Sequence, residues 1–158
     1  MFWLHVERKL VMRADEIRRE VLLDAPIEKV WASLTEPDHL AQWFGDSAEV
    51  DLRPGGRARF GWSEFNDSVE ATIEVVDQPT RFSFRWESFR DTPLEAAATL
   101  VEFVLEPSDG GTLLTLVESG FVALPENAYQ EFYDENSSGW HVELNDPAVY
   151  VSGVGAVG

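Results

Sequence analysis

The chain contains no cysteine. That excludes disulfides, thiolate catalysis and cysteine-ligated metal. It has only three histidines, His5, His39 and His141, and they form no metal-ligand spacing. No uninterrupted apolar run approaches the ~20 residues needed to span a bilayer. The first twelve residues lack the long apolar core and small-residue cleavage site of a secretory signal. A cytoplasmic protein is the expectation. No Ser-His-Asp arrangement, phosphate-binding glycine loop or dinucleotide fingerprint appears, so no catalytic residue, metal or cofactor is assigned.

Basic residues are scarce and unevenly placed. The net charge is −17, and no Lys or Arg follows Arg90. Residues 91–158 carry 12 acidic groups against none of opposite sign. Such a surface repels phosphate backbones and anionic membranes, which argues against nucleic-acid or membrane partners. Screening by salt should stabilise this half. Nothing in the sequence fixes an oligomeric state.

Large rings are plentiful: six Trp and ten Phe in 158 residues, enough for one well-filled domain. Residues 1–14 read as an extension, 15–150 as a single domain and 151–158 as a flexible tail. The organising stretch is 25–45. Ile27, Val30, Trp31 and Leu34 form one apolar stripe, and Leu40, Trp43 and Phe44 form a second. Pro26 suits a first helical position, Thr35 with Asp38 has capping-box spacing, and Gly45 suits a left-handed stop. Two short helices follow a first strand at 16–23.

A run of strands comes next: 48–52, 57–63, 69–76, 81–87, 97–105 and 112–119. Phe60 and Trp62, then Phe82, Phe84 and Trp86, alternate with arginines and other polar groups. Val101, Phe103, Leu105, Leu114 and Leu116 keep the same phase. Arg57, Arg59, Arg81 and Arg85 should pair across strands with Glu70, Glu74 and Glu87 on the wet face. Residues 89–94 read as a polar loop. Short strands joined by tight turns, with one apolar face each, imply an antiparallel meander covered on one side. A last helix opens at Pro125, with Tyr129, Phe132, Tyr133, Asn136, Trp140 and Leu144 at a 3.6-residue period. Gly139 within it suggests close approach to another element, and Pro147 should end or kink it near Asp146.

Several short motifs run in a fixed order: Ala25-Pro26 with Val30-Trp31, Glu36-Pro37 before Gln42-Trp43-Phe44-Gly45, Gly55-Gly56, and Val76-Asp77-Gln78-Pro79. Trp86, Leu105-Glu106-Pro107, Gly110-Gly111-Thr112, Ser119-Gly120-Phe121 and Gly139-Trp140 complete the set. This order resembles the START-like (SRPBCC) superfamily, and within it the family of the C-terminal domain of the heat-shock protein 90 ATPase activator. The resemblance covers about residues 16–145. It implies an α+β helix-grip fold, a curved antiparallel sheet of six to seven strands around a long C-terminal helix.

It further implies a cavity lined by Trp43, Phe44, Phe60, Trp62, Phe84, Trp86, Val101, Phe103, Leu114, Leu116, Glu118 and Trp140. Glu118 continues the inward phase of Leu114 and Leu116. A carboxylate among apolar walls needs a raised pKa or a cationic partner. The leading expectation is non-catalytic binding of a small hydrophobic or aromatic ligand. A chaperone-linked interaction domain is the alternative. A cyclase or dehydratase is the third, with Tyr133 or His141 as the only candidate partners for Glu118.

Overall fold

A computed structural model describes residues 14–87, 98–124 and 126–157. Residues 1–13 of the N-terminal extension, the loop at 89–94 and Pro125 therefore lie outside the described residues. Strand β1 (Glu16–Leu23) leads into helices α1 (Ile27–Thr35) and α2 (Pro37–Trp43). Strands β2 (Ser47–Val50), β3 (Arg57–Trp62), β4 (Asp67–Asp77), β5 (Arg81–Glu87), β6 (Ala98–Ser108) and β7 (Gly111–Ser119) follow. Helix α3 (Glu126–Val157) closes the chain. The strands form one sheet in the order β1-β7-β6-β5-β4-β3-β2, every neighbour antiparallel. This is the α+β helix-grip architecture.

The period-two pattern explains which face is covered. Phe60, Phe82, Phe84, Trp86, Val101, Phe103, Leu105, Leu114 and Leu116 are all buried, in phase across β3, β5, β6 and β7. Burying each such side chain contributes about 1.5–3 kcal/mol relative to leaving it exposed. Arg85 on the other face reaches Glu74 at 2.5 Å, as the cross-strand pattern suggests. Arg81 pairs with Glu102 of the neighbouring β6 at 3.3 Å. These exposed pairs add little stability.

Helices α1 and α2 bury Val30, Trp31, Leu34, Leu40 and Trp43. The Trp43 indole N–H donates to the Ser33 carbonyl at 2.8 Å and locks the two together. Their termini differ in detail from expectation. Pro26 is the N-cap of α1, its carbonyl accepting from the amides of Lys29 and Val30. Pro37 takes the first helical position of α2 instead. The capping box does not form. Glu36 is the N-cap, and the Thr35 hydroxyl donates back to the Trp31 carbonyl at 2.8 Å within α1. Gly45 does stop α2 in the left-handed region, with φ +72°.

Helix α3 buries Tyr129, Trp140 and Leu144. It anchors to β1 through its tyrosines. Tyr129 donates its hydroxyl to the Ala14 carbonyl, and Tyr133 donates to the Glu16 carbonyl at 3.0 Å. Two expectations for this helix need correction. Among the described residues, a Cβ on Gly139 would meet nothing within 4 Å, so this glycine marks no close approach. The helix does not end near Asp146: helical backbone continues through Pro147 to Val157. A long helix tolerates one proline because only one interior hydrogen bond, to the carbonyl of Glu143, is given up. Among the described residues no helix is long and apolar enough to cross a membrane.

Candidate functional site: a buried carboxylate among aromatic rings

The candidate site forms where α3 crosses β5, β6 and β7. Phe44 follows α2 and enters this space from the side. Its ring centroid lies 5.6 Å from that of Trp140, with the planes 7° apart, and 6.0 Å from that of Trp86. Trp86 and Trp140 are 5.6 Å apart and 22° from parallel. Phe60 and Trp62 meet Phe44 edge-on, each at 5.2 Å, and Phe103 meets Trp140 edge-on at 6.1 Å. Phe84 joins Phe60 at 5.3 Å and Trp86 at 5.4 Å. The structure thus brings Phe44, Phe60, Trp62, Phe84, Trp86, Phe103 and Trp140 into one continuous cluster, ring against ring. Trp43 touches Phe44 from the helix side at 5.3 Å. Val101, Leu114 and Leu116 are also buried.

Glu118 is the polar centre of this cluster. It is 0% exposed. One carboxylate oxygen, Oε2, accepts from Thr99 Oγ1 at 2.6 Å and from Trp86 Nε1 at 2.9 Å. The other, Oε1, accepts from Trp140 Nε1 at 2.8 Å. Asn136 Nδ2 spans both oxygens at 3.0 and 2.9 Å. Strands β5 and β6 and helix α3 thereby converge on one residue of β7. Every donor is neutral, and no described Lys, Arg or His forms an ion pair with the carboxylate. Burial pushes its pKa up, and the bonds from Thr99, Trp86, Trp140 and Asn136 oppose that rise without cancelling it.

Register explains why these groups meet. Glu118 lies opposite Val101 of β6 and Ile17 of β1, and Trp86 lies opposite Thr99. Asn136 and Trp140 are one helical turn apart on the face of α3 toward the sheet. Thr99 and Asn136 are site residues that the sequence reading did not single out. Thr99 could have been found from its phase with Val101 and Phe103.

Arg19 is a second omission. It falls between Ile17 and Val21 in the inward phase of β1 and is half-buried. Its guanidinium donates to the Ser137 hydroxyl at 2.7 Å and to the Arg18 carbonyl at 3.0 Å. A charged residue inside an alternating strand was the available signal.

Two other polar features lie apart from Glu118. Trp62 Nε1 donates to Glu143 at 3.3 Å, where β3 meets α3. A groove of about 430 Å3 opens along β2, β3 and β4, lined by Asp46, Glu49, Arg59, Ser63 and Asp67 among others. None of Glu118's partners lines it. Asp46 accepts from the Ser63 amide and hydroxyl, which hold its carboxyl below the ordinary range. Among the described residues no group of three or more His, Asp or Glu is placed to hold a metal ion.

A seven-stranded sheet gripping a long C-terminal helix, with two short helices after the first strand, defines a START-like helix-grip domain. The family model for activator of Hsp90 ATPase homolog 1-like protein matches residues 24–147, and the chain belongs to that family. No curated protein sequence is a significant match.

Among solved structures, the chain is similar to CalU16 from Micromonospora echinospora, with 26% identity and a TM-score of 0.64 over 87% of this chain and 74% of that one. Protein MLL2253 from Mesorhizobium loti shares 20% identity at a TM-score of 0.75, over 87% and 96% of the two chains. DynU16, a protein of the dynemicin biosynthetic locus, shares 23% identity at a TM-score of 0.72 over 88% of this chain. The chain spans about half of DynU16, 48% of its length.

Proposed function

We propose that this domain binds a small apolar or aromatic ligand between the sheet and α3, beside Glu118. The predicted wall residues, from Trp43 and Phe44 through Leu116 to Trp140, are its proposed contacts. The burial of Glu118 carries this reading. A compact scaffold has no need of a carboxylate in its aromatic core, where desolvation costs several kcal/mol even after partial compensation. Ligand sites, by contrast, are apolar clefts with a few placed polar groups. In the described state the rings occupy one another's faces, so a guest enters by displacing ring contacts. Phe44 is the ring placed to give way, because it lies just past the end of α2 and not on a strand. DynU16's place in a biosynthetic locus is consistent with a small-molecule role, at the level of fold analogy. The lack of cysteine fits a cytoplasmic setting.

The test is a titration with N-phenyl-1-naphthylamine, a neutral aromatic probe whose fluorescence rises in apolar surroundings. Saturable uptake of one probe per chain, with quenching of tryptophan emission, is the expected result. Linear, non-saturating uptake would remove the reading.

The family match favours a second reading, an interaction domain for a chaperone of the heat-shock protein 90 type. Co-sedimentation with a purified heat-shock protein 90 homologue tests it, and no complex at tens of micromolar (~50 µM, well above the working range of a functional contact) would end it. The cyclase or dehydratase reading needs a second titratable group on Glu118. The four partners of its carboxylate, Thr99, Trp86, Asn136 and Trp140, do not titrate in the working range. Tyr133 is turned to the Glu16 carbonyl, and His141 is exposed.

A further inference from the structure

We infer that the guest bound beside Glu118 carries a positively charged amine, an organic cation with an aromatic or apolar body. The inference rests on the binding reading above and adds the ligand's charge to it. Three observations lead to it.

The first is the set of groups around Glu118. All four of its partners are neutral donors, two of them indoles. The inward residues facing it are apolar or uncharged: Ile17 on β1, Trp86 on β5, Val101 and Thr99 on β6, and Leu116 on β7. On α3, Asn136 and Trp140 face it, Glu143 is turned to Trp62, and Asp134, Glu135 and His141 are exposed. Arg19 of β1 is the one inward cation among the described residues of the neighbouring strands. It lies opposite Leu116, diagonal to Glu118, and its guanidinium donates to Ser137 and the Arg18 carbonyl, not to Glu118. A buried carboxylate so placed gains most from a cationic partner.

The second observation is the aromatic surround. Trp86 and Trp140 hold the carboxylate by their N–H edges, and their faces stack on Phe44 at 6.0 and 5.6 Å. A guest that displaces Phe44 uncovers an indole face beside the carboxylate. The face takes the aromatic body and the carboxylate takes the charge.

The third is a replaceable partner. Asn136 is the only one of the four that is not buried, and it alone is shared between the two oxygens. An ammonium N–H can take its place on both. The lack of any Lys or Arg after Arg90 draws cations toward this half of the chain before they reach the interior.

The experiment compares three ligands of one shape on the intact chain: 2-phenylethylamine, 2-phenylethanol and 3-phenylpropanoate. Binding is read by displacement of N-phenyl-1-naphthylamine in enough NaCl, about 0.5 M, to screen the acidic surface. The amine should bind about tenfold tighter than the alcohol, and the acid more weakly than either. Glu118→Gln should abolish the amine's preference, bringing the amine-to-alcohol affinity ratio from about ten to about one. Should that variant not fold, the wild-type pH profile serves. Amine affinity should rise with pH as Glu118 ionises, while alcohol affinity stays flat. An alcohol that binds as tightly as the amine, or an acid that binds best through Arg19, overturns the cation and leaves the binding reading intact. Failure of the naphthylamine probe itself to bind overturns both.

Discussion

Trp140 Nε1 of the closing helix donates to Glu118 Oε1 of the last strand at 2.8 Å, and both side chains are buried. This bond ties the sheet to the helix that covers it. It is charge-assisted whenever Glu118 is ionised, and such bonds contribute about 1.5–3 kcal/mol. Trp140→Phe keeps most of the ring and removes the donor. In urea denaturation the variant should lose about that much stability at a pH where Glu118 is ionised, and less where it is protonated.

Stability should depend on pH through Glu118 in a defined direction. Burial raises its folded-state pKa above the unfolded value. The folded chain therefore binds that proton more tightly than the unfolded chain does. The contribution is fully present below the ordinary glutamate value and is lost as pH rises through the raised one. Melting temperature of the native chain minus that of Glu118→Gln should fall across this window. Asp46 acts in the opposite sense. Its lowered pKa adds stability above the ordinary aspartate value that is lost as pH falls. An NMR titration should find Asp46 among the last carboxyls to protonate.

Two glycines should respond oppositely to alanine. At Gly45, φ is +72° and an added Cβ would come within 2.3 Å of the Gly61 carbonyl oxygen. Gly45→Ala should cost at least ~1 kcal/mol, because both the backbone and the contact resist it. Gly139 is helical, and a Cβ there meets none of the described residues. Gly139→Ala should add about 1 kcal/mol of helix propensity. Thermal melts of the two variants check both signs.

Salt should stabilise the chain. Residues 91–158 carry acidic groups with no basic partner among them, so self-repulsion is strongest at low ionic strength. Melting temperature should climb between about 10 and 300 mM NaCl as the screening length shortens. A steady fall over that range would mean that the exposed pairs Arg85–Glu74 and Arg81–Glu102 outweigh the repulsion.

The strands and their inward faces were readable because one covered face imposes a strict alternation. Phe82, Phe84 and Trp86 show it most clearly, and the phase of Leu114 and Leu116 carries on to Glu118. What Glu118 meets was not readable in the same way. Its partners come from 32 residues before it, at Trp86, to 22 after it, at Trp140. No local period encodes that convergence. Arg19 escaped notice although it broke an alternating strand, because one charge among apolar neighbours resembles an interrupted pattern. Pro147 and Gly139 misled for the opposite reason. Local propensity marks both as interruptions, yet the helical backbone runs through both.

The most direct measurement is an NMR titration of the six tryptophan indole N–H signals with N-phenyl-1-naphthylamine. The account predicts saturable shifts of the Trp86 and Trp140 signals, whose N–H groups bond Glu118, with smaller changes at Trp31. Shifts confined to Trp62, beside the outer groove, or no saturable shift at all, would contradict a ligand site beside Glu118.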